Sequence, residues 1–129
     1  MAMKKDITAC PCGSGKTLAS CCQPYINGTL VAPTAEALMR SRYSAYAIHD
    51  EQYLLNSWHV STRPDHIDAD PSVQWIRLKI IDADSSQNHV EFVATFRLNG
   101  KAFKLCENSR FVLEEGQWFY LESETCQGS

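Results

Sequence analysis

The chain has 129 residues, of which 44% are hydrophobic and 21% are charged, as in a globular protein of one ordinary domain. Its net charge of −3 at pH 7 argues against a general nucleic-acid binder, because such proteins usually carry a clear basic excess. We find no apolar run of bilayer-spanning length and no secretory signal, so we expect a cytoplasmic protein with reduced thiols and no membrane partner.

Four of the six cysteines are close together near the amino end, in two pairs joined by a glycine-containing loop. They are Cys10 and Cys12, followed by Cys21 and Cys22. Two pairs of thiolates on a short loop can converge on one tetrahedral ion, and zinc is the usual occupant of an all-sulfur site. A site of four thiolates leaves no coordination position for a substrate. The pattern therefore predicts a structural zinc ion and not a reaction.

Three alternatives stay open for these cysteines. Two disulfides would also use all four, although the reduced thiols expected in the cytoplasm disfavour them. An iron–sulfur cluster is less favoured because the ferredoxin spacings are absent from the sequence. The adjacent Cys21 and Cys22 both bind the ion only if the backbone turns there. If one of them binds alone, the site has three sulfurs and an exogenous ligand.

A helix is predicted to begin after the N-cap Thr34, with Glu36 and Arg40 as an i,i+4 pair. A second short helix is predicted from its N-cap Asp50 through Trp58. The apolar stripe of the first helix includes one charged residue, and its members are Ala35, Leu38, Met39, Arg42, Tyr43 and Tyr46.

Strands are predicted beyond a polar loop over residues 59–72, because apolar residues then alternate with period two. In the first strand this alternation places Ile76, Leu78 and Ile80 on one face. Asn99-Gly100 is a strong hairpin signal between two later strands. Helices followed by an antiparallel meander predict an α+β fold, with the helices packed on one face of a four-stranded sheet.

Two parts of the chain resemble known families. The run Cys-Pro-Cys-Gly-Ser-Gly-Lys over residues 10–16, followed by Cys21-Cys22, resembles the SEC-C motif, a zinc-binding segment known at the C-terminus of the SecA translocation ATPase. Most of the remaining chain resembles the YchJ-like family of small bacterial proteins. The stretches that carry this second resemblance are residues 34–46, 58–59, 61–64, 107, 109–111 and 118–120.

The resemblance implies a SEC-C-like zinc-binding segment over residues 1–33 and a nuclear-transport-factor-two-like, cystatin-like domain over residues 34–129. Such a domain is a cone in which a curved four-stranded antiparallel sheet wraps the helices. The family has no established activity, so the resemblance implies architecture more than function. Its members often have a histidine where this chain has Cys106, so we expect no histidine-dependent catalysis there. Neither Cys106 nor Cys126 has a visible activating base, which disfavours a nucleophilic role.

The cone implies an inner cavity with a charged pair on its walls. Arg42 lies on the apolar stripe of the first helix and Glu107 on the apolar face of the third strand, so we predict a buried ion pair. This pair either fixes helix against sheet, which we favour, or binds a ligand. Aromatic residues at such spacing are more often ordinary core than a binding cage. The candidate lining residues are Arg42, Tyr43, Tyr46, Trp58, His59, Trp75, Glu107 and Ser109.

We interpret the chain as a zinc-binding interaction module that docks to another protein through its zinc segment, by analogy with the SEC-C segment of the translocation ATPase. Nucleic acid or the ribosome is a less favoured partner, given the charge. The alternative is a small-molecule-binding protein or an enzyme that uses the cavity. No catalytic residue is predicted, and we favour a non-enzymatic role.

Overall fold

The computed structural model describes residues 8–84 and 88–126. The helical elements in that part of the chain are a 3-10 turn over Leu18–Ser20, α1 over Gln23–Ile26, α2 over Ala35–Ile48 and α3 over Glu51–Asn56. The strands are β1 over Gln74–Asp84, β2 over His89–Leu98, β3 over Lys101–Glu114 and β4 over Gln117–Thr125. The predicted α+β fold class is confirmed. Among the residues described, no helix combines the length and the apolar composition that crossing a bilayer requires.

Polar N-caps set the starts of α2 and α3, as predicted. Thr34 Oγ1 accepts an amide hydrogen of the first turn of α2 at 3.0 Å, and Asp50 Oδ1 does the same for α3 at 3.1 Å. However, α3 ends at Asn56 and does not reach Trp58. The chain leaves the helix there because the backbone on both sides of Trp58 pairs with Tyr120 of β4 through two hydrogen bonds of 2.8 Å.

The strands pair in sequence order, and each neighbouring pair is antiparallel. The two-residue turn Asn99-Gly100 joins β2 to β3 with φ of +53° and +81°, as a type I′ hairpin requires. Glu115-Gly116 joins β3 to β4 with φ of +53° and +79°. Tight turns thus join β2 to β3 and β3 to β4, and the strand order confirms the predicted meander.

The strand β1 departs from the predicted alternation. Its register with β2 shifts between Trp75 and Arg77, which places an extra residue on β1. Trp75 thus packs against Tyr43 of α2, with ring centroids 5.7 Å apart, while Ile76 is 40% exposed. Leu78 is buried as predicted. The prediction for Ile76 is therefore wrong, because a bulge reverses the alternation on one side of it.

One cluster of buried side chains includes residues of the cysteine segment (residues 10–22) and residues of all four strands. The helix α2 packs against α1 as well as against β1, β2 and β4, so it lies in the middle of this cluster. Three residues of α2 outside the predicted apolar stripe are therefore also buried, namely Ser41, Ser44 and Ala45. These small side chains let neighbouring elements come close to the helix. The cysteine segment is thus part of the core of the whole described chain.

Candidate metal centre and cavity

The four predicted metal ligands come together at one point. Their Sγ atoms all lie within 4.8 Å of one another, and Cys21 Sγ lies 3.7 Å from that of Cys12 and 3.9 Å from that of Cys22. A tetrahedral ion with bonds of about 2.3 Å to four sulfurs needs sulfur–sulfur separations of about 3.8 Å. All four cysteines are free thiols in the structure, and all except Cys21 are buried. The cluster therefore has the size and the donors of a metal site.

A tight loop shapes this four-cysteine cluster. The Cys10 amide donates to Lys16 O at 2.9 Å, and the Gly13 amide donates to Cys10 O at 3.1 Å. Gly13 has φ of +79°, a conformation that favours glycine. A Cβ atom on Gly13 would lie 3.5 Å from Leu78 O of β1, so the loop also lies against the sheet. The first pair of cysteines is thereby held in a fixed turn.

Polar side chains that sequence reasoning missed surround the sulfurs. Ser44 Oγ of α2 lies 3.4 Å from Cys10 Sγ. Ser14 Oγ lies 3.1 Å from Cys21 Sγ. Arg40 Nη1 of α2 donates to Cys12 O at 2.9 Å, while its predicted i,i+4 ion pair is also formed. Arg40 and Ser44 are one helical turn apart, and this spacing was the signal that they share a face. Together they attach the cluster to α2.

Close contact between the sulfurs makes their ionisation unequal. Hydrogen bonds with the thiols of Cys10 and Cys22 lower the pKa of Cys12. Hydrogen bonds with Cys10 and Cys12 raise the pKa of Cys22, and burial raises the pKa of Cys21. Four thiolates at these separations repel one another, so ionising all of them requires a bound cation. The electrostatics of the cluster therefore suit a metal ion.

A cavity of about 360 Å³ lies between α2 and the inner face of the sheet. This volume is within the range of about 300–1,000 Å³ that is typical of small-molecule sites. Tyr120 and Ser123 of β4 also line it, and sequence reasoning missed them. Tyr120 is two residues from the buried Trp118, so the period of two was a usable signal. The predicted residues on its wall are Arg42, Tyr43, Tyr46, Trp75, Glu107 and Ser109.

Trp58 and His59 do not line this cavity, contrary to our expectation. The pairing of their backbone with β4 directs both side chains elsewhere. Trp58 packs edge-on against Tyr120, with ring centroids 4.9 Å apart, and its ring lies 5.1 Å from the Arg42 guanidinium. His59 Nε2 lies 2.9 Å from Glu114 Oε2. Both residues therefore hold the α3–β4 junction and do not belong to the cavity site.

The predicted ion pair between Arg42 and Glu107 is wrong. Among the residues described, none of the ion pairs involves either side chain. Arg42 Nη1 instead donates to Leu54 O at 2.8 Å and to Ser57 Oγ at 2.6 Å. Its guanidinium also lies 4.3 Å from the ring centroid of Tyr120. Neutral acceptors and aromatic faces thus stabilise the buried cation in place of a carboxylate.

Burial changes the protonation of the cavity wall. It lowers the pKa of Arg42, which still remains charged because a guanidinium does not deprotonate in proteins. It raises the pKa of Glu107, and it raises the pKa of Tyr43 to about 12. The cavity therefore presents one permanent cation, and the Glu107 carboxyl on its wall retains its proton more strongly than it would in water. The carboxyl groups of Asp68 and Asp70 also line the cavity.

Replacing Glu107 with glutamine should raise the free energy of unfolding near neutral pH. Because the folded pKa is raised, the native state retains a proton that the unfolded chain has already released, so stability falls as pH rises from about 4.3 through the folded pKa. The advantage of Glu107→Gln should disappear below about pH 4. Urea unfolding of the parent chain and of Glu107→Gln, near neutral pH and below about pH 4, measures the difference in their free energies of unfolding. Glu124→Gln, which changes an exposed carboxylate, is the control. An advantage of equal size at both pH values would contradict this account.

Comparison with known proteins gives matches over both parts of the chain. The family model described as YchJ, middle NTF2-like domain, matches residues 34–123, and the SEC-C motif matches residues 8–24. A UPF0225 protein of Streptomyces coelicolor is 46% identical over 89% of this chain and 94% of its own length. A UPF0225 protein of Chromobacterium violaceum is 47% identical over 92% of this chain and 93% of its own length.

Solved structures are similar as well. The solution structure of a SEC-C motif containing protein from Rhodopseudomonas palustris has a TM-score of 0.82 at 34% identity, covering 92% of this chain and 98% of that one. A crystal structure of a SEC-C motif containing protein from Psychrobacter arcticus has a TM-score of 0.70 at 24% identity, covering 96% of this chain and 86% of that one. At this identity the similarity supports the fold alone. The chain therefore belongs to the YchJ-like family and carries an NTF2-like domain after a SEC-C motif.

Proposed function

We propose that the chain binds one Zn²⁺ at the four-cysteine cluster and that this ion is structural. The observation that carries the proposal is the convergence of four sulfur atoms at the separations of a tetrahedral site. Thiolate ligands favour zinc over hard cations such as magnesium and calcium. Four protein ligands leave no position for a substrate, so the ion supports the fold. The four clustered cysteines are free thiols, which reducing conditions preserve, and we propose a cytoplasmic location on the ground of this cluster. The remaining two cysteines, Cys106 and Cys126, are joined in a disulfide.

The ion would act on the stability of the whole chain. Cys12 and Cys22 are almost completely buried in the same cluster as the residues of the sheet. Arg40 and Ser44 connect the cluster to α2, which is itself the centre of the core. Removing the ion would leave buried thiols that repel one another when ionised. The free energy of metal binding then contributes directly to the free energy of folding.

Replacing Cys12 with serine should remove the zinc and destabilise the entire chain in one transition. In protein whose disulfide between Cys106 and Cys126 is intact, we expect zinc to fall from one ion per chain to well below one. The free energy of unfolding should decrease by on the order of 3–5 kcal/mol, because loss of a structural metal is among the largest single-substitution effects. Elemental analysis and urea unfolding measure the two quantities.

The exposed Ser20 supplies a control in the same segment, and Ser20→Ala should retain one ion and full stability. A Cys12→Ser protein that retains one zinc ion would refute the assignment of the ligands. A protein that loses zinc while β1 to β4 remain fully stable would refute the structural role.

We further propose that the zinc segment docks to another protein through an apolar groove. Val31, near the end of the predicted zinc segment of residues 1–33, lines this groove together with Leu113 and Trp118 of the last hairpin. Val31 and Leu113 are 60% and 52% exposed, and the adjacent Leu30 is also exposed. Such contiguous apolar surface favours a protein partner that presents apolar side chains. None of the described lining residues is basic, which, with the net charge of −3, disfavours nucleic acid or the ribosome.

Introducing a charge into the groove should prevent docking without removing the metal. Val31→Asp is expected to weaken capture of the partner by about tenfold or more, because a buried unpaired carboxylate is costly at an interface. Val60 is also apolar and is 71% exposed outside the groove, so Val60→Asp is the matched control. Quantitative affinity capture with the full chain, and with zinc content checked for each variant, makes the comparison. Equal capture by both variants would refute the groove.

A second candidate function is binding of a small organic acid in the cavity. The observation that favours it is the position of Arg42, a permanent cation on a wall that is mostly aromatic and aliphatic. The wall also carries three carboxyl groups, those of Asp68, Asp70 and Glu107. Among the described residues, no carboxylate forms an ion pair with Arg42. Trp75 and Tyr43 supply rings against which an apolar body can pack. A carboxylate on such a molecule would complement the guanidinium.

Benzoate and benzyl alcohol test this second candidate as probes of almost equal shape. Benzoate is expected to bind about tenfold more tightly, since one additional charge-assisted hydrogen bond contributes roughly 1.4 kcal/mol. Titration followed by amide and indole resonances should show the largest shifts at Trp75 and Glu107. Equal affinity of the two probes, or shifts confined to residues outside the cavity, would argue against the candidate.

A further inference from the structure

A disulfide joins β3 to the residue that follows β4. Cys106 and Cys126 are bonded, with Cα atoms 5.4 Å apart, and the Cys126 amide donates to Cys106 O at 3.0 Å. Glu107 lines the cavity and successive residues of a strand alternate between its faces, so Cys106 lies on the outer face of the sheet. This bond departs from the expectation of reduced thiols, and sequence reasoning missed the pair because the two cysteines are 20 residues apart in the chain. Both are half-buried.

A carboxylate lies beside the two sulfurs. Glu91 Oε2 of β2 is 3.7 Å from Cys126 Sγ, and a carboxylate oxygen of Glu91 lies within 4.8 Å of both sulfur atoms. Glu124 lines a shallow depression of about 250 Å³ together with Glu91 and Cys126. Two thiolates and a carboxylate are ligands that zinc accepts. The tertiary fold therefore brings a second set of metal-binding groups to the outer face of the sheet.

We propose that reduction of the Cys106–Cys126 bond opens a second site for a thiophilic divalent cation, held by both thiolates and the Glu91 carboxylate. The same two sulfur atoms either bond to each other or bind the ion. The site therefore has two exclusive states, and the redox conditions select between them.

The exchange between these states is balanced with a low-molecular-weight thiol as reductant. Two thiol molecules give up two electrons and form one small disulfide, while the Cys106–Cys126 bond breaks and two protein thiols form. Binding of the divalent cation releases both thiol protons to solvent and forms two metal–sulfur bonds. Oxidation by a small disulfide reverses the exchange, and the cation leaves as the protein disulfide forms.

Accessibility separates this site from the four-cysteine cluster. The outer pair is half-buried, whereas three of the four clustered cysteines are buried, so a small thiol reaches the outer pair more readily. The exposed Glu124 beside it adds negative potential that attracts a cation. Three protein ligands also leave a fourth position for water, in contrast to the closed four-sulfur site. The inference is thus independent of the function proposed above.

Zinc stoichiometry of the full chain tests this proposal. The protein is equilibrated with a small excess of zinc, once oxidised by a small disulfide and once reduced by a thiol-free phosphine, and elemental analysis follows removal of unbound zinc. The reduced protein should carry one ion more than the oxidised protein. The variant that lacks both outer cysteines shows whether the four-cysteine cluster keeps its own ion under both conditions, so failure of this proposal and failure of the proposed function are distinguishable.

Two variants identify the ligands. The double variant Cys106→Ser with Cys126→Ser should carry the same number of ions under both conditions. Glu91→Gln leaves the cysteines intact and should weaken binding of the additional ion by about tenfold or more. Glu122→Gln, which removes an exposed carboxylate paired with Arg110, is the control and should have no effect. Equal stoichiometry of the reduced and oxidised parent chain, or equal effects of Glu91→Gln and Glu122→Gln, would overturn the proposal.

Discussion

The packing of the four-cysteine cluster against α2 is the contact on which the remaining structure depends. Arg40 and Ser44 of this helix touch the cluster, and Arg42, Tyr43 and Tyr46 of the same helix line the cavity. A single helix of four turns thus positions both candidate sites. Since a helix moves as a rigid element, a change in the cluster is expected to reach the cavity wall. The two family-matched segments are therefore one structural unit around α2.

The burial of Arg42 is the second constraint on the fold. A charged side chain in the core requires hydrogen-bond acceptors, and these are Leu54 O of α3 and Ser57 Oγ directly after it. Aromatic rings of Trp58 and Tyr120 cover the guanidinium. This arrangement fixes α3 and β4 relative to α2 without a buried carboxylate. On the opposite wall of the cavity, Glu107 forms no ion pair with any residue that the structure describes.

Local signals in the sequence were sufficient to predict the order of the main helices and strands and the convergence of the four clustered cysteines. N-caps such as Thr34, the period of two and Asn99-Gly100 act over a few residues, and the cysteine spacing restricts the possible geometry strongly. The errors concern contacts between distant segments. The partners of Arg42 are carbonyl, hydroxyl and ring groups that no charge pattern marks, and the bulge beside Ile76 depends on pairing with β2. The Cys106–Cys126 bond likewise follows only from strand register.

X-ray absorption spectroscopy at the zinc edge tests the central claim most directly, because it reports the atoms bound to the ion and their distances. The oxidised chain of 129 residues, in which the outer cysteine pair is closed, should show four sulfur neighbours at about 2.3 Å and no nitrogen or oxygen neighbour. Fewer than four sulfurs around the ion, or an oxidised preparation that contains no zinc and has its clustered cysteines joined in disulfides, would contradict the account.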